Sequence, residues 1–277
     1  MSIKKDKYFI SLANNLAKNN NGFTGANPSV GAIVVKNSKV ISFGLTGFSG
    51  RPHAEINSLK KLSKKERKNS SIYISLEPCT HYGKTPPCVN KIINSKIKKV
   101  VYSINDVDIR TSGKSYKILR KKKINVVKNY LSNISKKIYK NYLFSKKHKI
   151  PYIYGKLAIS RDFFLKDKKN FYITNEHSLK TTHILRSKIN CILTTAKTIN
   201  DDNPKLTCRI EGLDKFTPKV AIIDKDLSII KNSFLIKNAK NNKTYLFYNS
   251  NNKNKLNFLK SKKIILVKTP IKSKNLD

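Results

Sequence analysis

The chain has 277 residues, a hydrophobic fraction of 39% and a formal net charge of +42, with 58 basic residues against 16 acidic ones. That length allows two domains, and the apolar content suffices for packed cores. The sequence excludes a membrane-spanning helix, since no apolar stretch approaches the ~20 residues such a helix needs. It also excludes a disulfide scaffold, since Cys79, Cys88, Cys191 and Cys208 are few and scattered.

Tyr8, Phe9, Leu12, Ala13 and Leu16 recur at helical spacing and predict an amphipathic first helix, stopped at Asn19-Asn20-Asn21-Gly22. No apolar leader precedes it, so a cytoplasmic, reducing location is expected. Asn27-Pro28-Ser29 leads into a buried strand through Val35, and Lys36-Asn37-Ser38-Lys39 turns it into a second strand, Val40 to Phe43. A helix is predicted over 53–62, a strand over 72–76, and another helix from Cys88 through Val89, Ile92 and Ile93. Strands at 100–104 and 124–127 flank a helix around 116–119, and one lysine-rich helix runs from Leu131 to Lys149. This alternation is α/β, with a mixed sheet. Pro151 opens a new apolar pattern, which divides the chain into domains 1–149 and 150–277. In the second, strands are predicted at 152–159, 191–193, 220–224, 244–248 and 264–267, with a helix over 176–186. The Lys- and Asn-rich run 231–263 carries little pattern.

The basic residues are almost all lysine and are spread from end to end. A nucleic-acid groove needs patterned charge and arginine forks. The charge is therefore read as a solvated composition bias, with no specific nucleic-acid partner and no membrane partner.

His53-Ala54-Glu55 and the run Glu77-Pro78-Cys79 to Pro87-Cys88 carry the chemistry. Zinc prefers imidazole and thiolate donors, and a catalytic site leaves its fourth position open. His53, Cys79 and Cys88 are three such donors, and Glu55 is a proton carrier rather than a ligand, the pattern of zinc deaminases acting on nucleobase-like rings. Residues two apart do not share a helix face, so His53 and Glu55 must lie at a helix start. Cys88, in a first helical turn, is expected to gain thiolate character from the helix dipole. Two competing readings remain: a deaminase of another nucleobase or of nucleic acid, and a basic nucleic-acid-binding protein with structural zinc. The latter would have no use for Glu55.

Asn27-Pro28-x-Val30-Gly31, His53-Ala54-Glu55 and Glu77-Pro78-Cys79-Thr80-His81-x-Gly83-Lys84-Thr85-Pro86-Pro87-Cys88 resemble the deaminase half of the bifunctional riboflavin-biosynthesis deaminase/reductase family. Lys156-Leu157-Ala158-Ile159-Ser160-x-Asp162, Ile173-Thr174, Leu185-Arg186 and Thr198-Ile199-Asn200-Asp201-Asp202-Asn203-Pro204-x-Leu206-Thr207-x-Arg209 are similar to its reductase half. The resemblance implies a cytidine-deaminase-like three-layer domain followed by a dihydrofolate-reductase-like α/β domain. It implies Zn2+ and NADPH as cofactors, a small phosphoribosyl-pyrimidine as substrate, and self-association. It places Asn27, His81 and Lys84 on the deaminase substrate. It places Ala158, Tyr172, Thr198 and Asp202 by NADPH, and Asn170, Arg186, Leu206 and Arg209 by the reductase substrate. Asp202 has a second reading as a helix or turn cap. Phe163 stands where the family has glycine, Lys225 where it has a small polar residue, and Val107 and Ile109 where it has prolines. No glycine follows Gly212, so the glycine-rich segment that holds the cofactor pyrophosphate is expected to be missing and the second domain incomplete.

Overall fold

A computed structural model of the chain describes residues 3–164, 174–272 and 275–276. The chain divides into two compact units, Met1–Gly155 and Lys156–Asp277.

In the first unit, α1 (Ile3–Asn19) buries Phe9, Ile10, Ala13 and Ala17 along one face, while Tyr8 from the predicted stripe is exposed. The hairpin follows as β1 (Gly31–Lys36) and β2 (Lys39–Leu45), with a register shift between Val34 and Val35. Then come α2 (Ala54–Leu59), α3 (Lys64–Arg67), β3 (Ser71–Ile74), α4 (Cys88–Asn94), β4 (Lys99–Tyr102), α5 (Lys114–Lys121) and β5 (Asn125–Val127). The sheet order is β2-β1-β3-β4-β5. β1 is antiparallel to β2 and β3, whereas β3, β4 and β5 run parallel, so the sheet is mixed as predicted.

Side chains alternate across the central strands because the strand period is two. Ile33, Val35, Tyr73 and Val101 meet Phe9, Ile10 and Ala13 of α1 on one face. Ala32, Val34, Ile72, Ile74, Val100 and Tyr102 face the other way, onto Leu59, Val89, Ile92 and Leu119. Three layers result, with α2 and α4 on the same face. Gly44 makes that face possible, because a Cβ there would lie 2.2 Å from the Ala54 carbonyl oxygen and 2.5 Å from the Ser58 amide.

The single helix predicted over 131–149 is two, α6 (Ser132–Ile138) and α7 (Lys140–His148). They break at Tyr139, whose ring is buried and whose hydroxyl lies 2.6 Å from Ser75 Oγ. Turning that ring into the core re-aims the chain that follows.

The second unit holds α8 (Glu176–Lys188), β6 (Cys191–Thr195), α9 (Ala196–Asp202), β7 (Lys219–Ile223), α10 (Phe234–Lys237), β8 (Thr244–Tyr248), α11 (Lys253–Ser261) and β9 (Ile265–Lys268), then the short pair β10 (Ile271–Lys272) and β11 (Asn275–Leu276). β6-β7-β8-β9 is a parallel sheet in sequence order, packed through Val220, Ile222, Leu246, Ile199, Ile236 and Leu259. Two sequence expectations are corrected. The strand predicted over 152–159 is irregular backbone, with Ile153 82% and Leu157 75% exposed. The run 231–263, read as carrying little pattern beside the strand at 244–248, which is β8, also contains α10 and α11, the last capped by Asn252, which accepts from the Lys255 amide. Among the described residues no helix is long and apolar enough to cross a membrane.

Candidate active site

The first turn of α2, the loop after β3 and the first turn of α4 meet in one place. His53 is the N-cap of α2, with extended backbone angles, and Glu55 is the second residue of the helix, buried at 4% exposure. The helix start thus lets two residues of unlike direction share a site, as the sequence required. Cys79 follows β3 through a short loop, and Cys88 opens α4 behind Pro87.

His53 Nδ1 lies 3.2 Å from Cys88 Sγ and 3.5 Å from Cys79 Sγ, and the three donor atoms all lie within 4.8 Å of one another. Around a tetrahedral zinc with bonds of ~2.0–2.3 Å, an N–S edge is roughly 3.6 Å. The donor set fits zinc in kind and in spacing.

The charges are distributed by contact and burial. A hydrogen bond from the Cys88 thiol lowers Cys79 to about 4, helped by His53 and by the Cys88 amide, which donates to Cys79 Sγ at 3.3 Å. Cys88 moves up, because its thiol is that donor and is deeply buried. With no metal bound, the charge of the pair is favoured on Cys79 rather than on Cys88. The hydrogen bond between Cys79 and His53 raises the imidazole. Burial, then the Cys79 charge, pushes the Glu55 carboxyl up to about 7.

A cavity of about 290 Å³ opens over this centre, lined by His53, Glu55 and Cys79 and by Asn27, His81 and Lys84, the three residues the sequence resemblance put on the substrate. Asn27 is fixed by donating from Nδ2 to the Gly50 carbonyl at 3.0 Å. Gly50 has φ +94°, and a Cβ there would sit 2.4 Å from that nitrogen. His81 Nδ1 contacts Thr111 Oγ1 at 3.1 Å.

Further charged and polar lining residues, among them Arg51, Asp106, Asp108, Arg110, Tyr142 and Lys146, carry no functional signal in the sequence. Glu77 holds the 106–115 segment in place, accepting from the amides of Asp106, Gly113 and Ser115 and from the Ser115 hydroxyl. Tyr142 donates to Asp106 at 2.9 Å, and burial raises that carboxyl. Arg110 forks onto Asp108 at 2.9 and 2.6 Å and holds it below the usual carboxylate range. Tyr142 and Lys146 come from α7, so the break at Tyr139 delivers them. No motif marks them; only the helical spacing of four between them hinted at a shared face.

In the second unit, Arg186 of α8 donates to the Thr207 carbonyl at 3.1 Å, and burial, then the nearby Arg209, lowers its pKa. The Arg209 amide donates to His183 Nδ1 at 3.2 Å. Leu206 sits in the same segment with φ +52°. Thr198 lies in the first turn of α9, its amide capped by Thr195, and Asp202 ends that helix. Ala158 lies in the irregular stretch, half-buried. Asn170 and Tyr172 fall outside the described residues. Cys191 is exposed and Cys208 buried, both free thiols.

Residues 3–104 match the family profile described as the cytidine and deoxycytidylate deaminase zinc-binding region, and residues 151–275 match the RibD C-terminal domain. The riboflavin biosynthesis protein RibD of Aquifex aeolicus is 36% identical over 226 residues, covering 81% of this chain and 63% of that protein. A diaminohydroxyphosphoribosylamino-pyrimidine deaminase of Buchnera aphidicola subsp. Schizaphis graminum is 42% identical over 138 residues, covering 50% of this chain and 93% of that protein. The chain spans about three fifths of the length of the RibD proteins it matches, 63% and 58% in two of them. Among solved structures, a deaminase/5-amino-6-(5-phosphoribosylamino)uracil reductase from Thermotoga maritima superposes with a TM-score of 0.81 at 26% identity, covering 95% of this chain and 80% of that one.

Proposed function

The chain belongs to the RibD family of riboflavin-biosynthesis proteins, and from that premise we propose that its first unit deaminates 2,5-diamino-6-(5-phosphoribosylamino)pyrimidin-4(3H)-one. Its second unit, in the same reading, is reductase-like and, if functional without the glycine-rich segment, reduces the resulting 5-amino-6-(5-phosphoribosylamino)uracil with NADPH. The division between the two activities falls near residue 149. A reducing, cytoplasmic setting suits a centre that depends on two free thiols.

The observation that carries the reading is the convergence of one imidazole, two thiols and a buried carboxyl at the floor of one cavity. His53, Cys79 and Cys88 would hold zinc. When bound, zinc supplies the Lewis acidity that makes water nucleophilic at neutral pH. Glu55 takes a proton from the attacking water and returns it to the departing amino nitrogen, so that one water is consumed and one ammonia leaves. Asn27 and His81 orient the ring, and Lys84 meets the phosphate as a point charge. Tyr142 and Glu77 keep the 106–115 wall in register while this happens.

In the second unit, Ala158, Thr198, Asp202 and Tyr172 serve NADPH, and Arg186, Leu206, Arg209 and Asn170 serve the substrate. The two arginines suit a phosphate clamp.

One incubation tests both halves. The zinc-loaded chain, given the diaminopyrimidine, should release stoichiometric ammonia, and added NADPH should then be consumed. Absence of ammonia release would overturn the deaminase reading. Ammonia without NADPH consumption would overturn the reductase reading alone.

A further inference from the structure

Arg51 lies in extended backbone between the turn at Phe48–Gly50 and Pro52. Its Nη1 donates to the Thr85 hydroxyl, and its Nη2 lies against Gly83, where a Cβ would come within 3.4 Å. The guanidinium therefore rests on the loop that carries Lys84, at the cavity wall. One bond to Thr85 leaves most of its five N–H donors available.

The other charges of the cavity are differently engaged. Arg110 is neutralised by Asp108. Glu77 is saturated by backbone and Ser115 donors, and Asp106 is held by Tyr142 and the Asp108 amide. Among the described residues, Arg51, Lys84 and Lys146 form no ion pair with any carboxylate. Three cations of the cavity wall are thus without a direct carboxylate partner among the described residues. Residue type adds a second argument. Only seven of the 58 basic residues are arginine, so a chain that uses lysine almost everywhere keeps a planar fork here. A fork binds phosphate through two parallel bonds, which an ammonium cannot do.

We propose that Arg51 is a specificity-determining residue of the deaminase, gripping the phosphate of the substrate in a bidentate fashion beside Lys84. The inference rests on the deaminase reading above. The alternative role, a staple that only fastens the 83–85 loop through Thr85, would affect every substrate alike.

The test compares the phosphorylated substrate with its dephosphorylated ribosyl counterpart in wild type, Arg51→Gln and Arg51→Lys, with zinc content measured for each. The ratio of kcat/KM for the two substrates should fall about ten-fold in Arg51→Gln, through a higher KM for the phosphorylated one. Arg51→Lys should fall between, and inorganic phosphate should inhibit the wild type more strongly than Arg51→Gln. A wild-type ratio in Arg51→Gln, with both efficiencies lowered together, would establish the staple and overturn the proposal. Should Arg51→Gln lose its zinc, Arg51→Lys decides: a lowered ratio supports the fork, a wild-type ratio contradicts it. A zinc-replete wild type that deaminates neither compound would overturn the deaminase reading together with this one.

Discussion

At the scale of single residues, the site depends on two sulfurs doing different things before any metal arrives. Cys79 is already anionic near neutrality, stabilised by the thiol and amide of Cys88 and by the imidazole. Cys88 holds its proton in a buried position and gives it up on metal binding, since only the thiolate ligates. Cys88→Ser should therefore purify with zinc reduced to a small fraction of the wild-type content and deaminate at least ~100-fold more slowly. Metal analysis beside an ammonia assay checks this, and a serine variant with full zinc would refute the ligand set. The ligands and Glu55 were legible because their spacing is dictated by helix starts and strand ends. Arg51, Asp106 and Lys146 were not, because nothing in the local sequence says which cavity a loop cation or a helix face will meet. Phe163 is a subtler case: it stands where the family has glycine, and its φ of +67° is the left-handed conformation that glycine adopts without strain.

At the scale of elements, the position of α2 sets the distance between His53 and the cysteines. β2 and α2 touch through Gly44 with no room for a methyl group, since the atoms in the way are backbone. Gly44→Ala should cost about 2–3 kcal/mol in denaturant unfolding and lower kcat/KM by displacing His53 and Glu55. Gly155→Ala, with nothing within 4 Å of the added carbon, is the control. Equal stability of both variants would show that the helix can move freely. The hairpin, β3 and the helix starts could be read directly, for their apolar periods coincide with real partners. Two predicted elements proved different from their pattern. An alternating pattern over 152–159 specifies a strand only where another strand completes its hydrogen bonds, and here Ile153 and Leu157 face solvent. Continuous helical spacing over 131–149 conceals the turn at Tyr139, because the bond between its hydroxyl and Ser75 joins residues far apart in sequence.

At the scale of the whole molecule, the formal charge of +42 says less than its local arrangement. In the cavity of the first unit Arg110 is paired with Asp108, whereas Arg51, Lys84 and Lys146 have no ion-pair partner among the described residues. The second unit repeats the theme with Arg186 and Arg209, close enough for one to depress the other. Under the proposed function, both places would meet the phosphate of the substrate in successive steps. The α/β class of both units was evident from the alternation of elements, whereas the all-parallel order β6-β7-β8-β9 depends on crossovers that periodicity does not reveal. What makes the molecule an enzyme in this account is narrower than its fold or its charge: a carboxyl that moves protons beside a metal it does not hold. Glu55→Gln keeps the shape and removes that capacity. The account predicts a variant with wild-type zinc content and an ammonia-release rate lowered by roughly 10²–10⁴-fold; a zinc-replete Glu55→Gln protein that deaminates at the wild-type rate would contradict it.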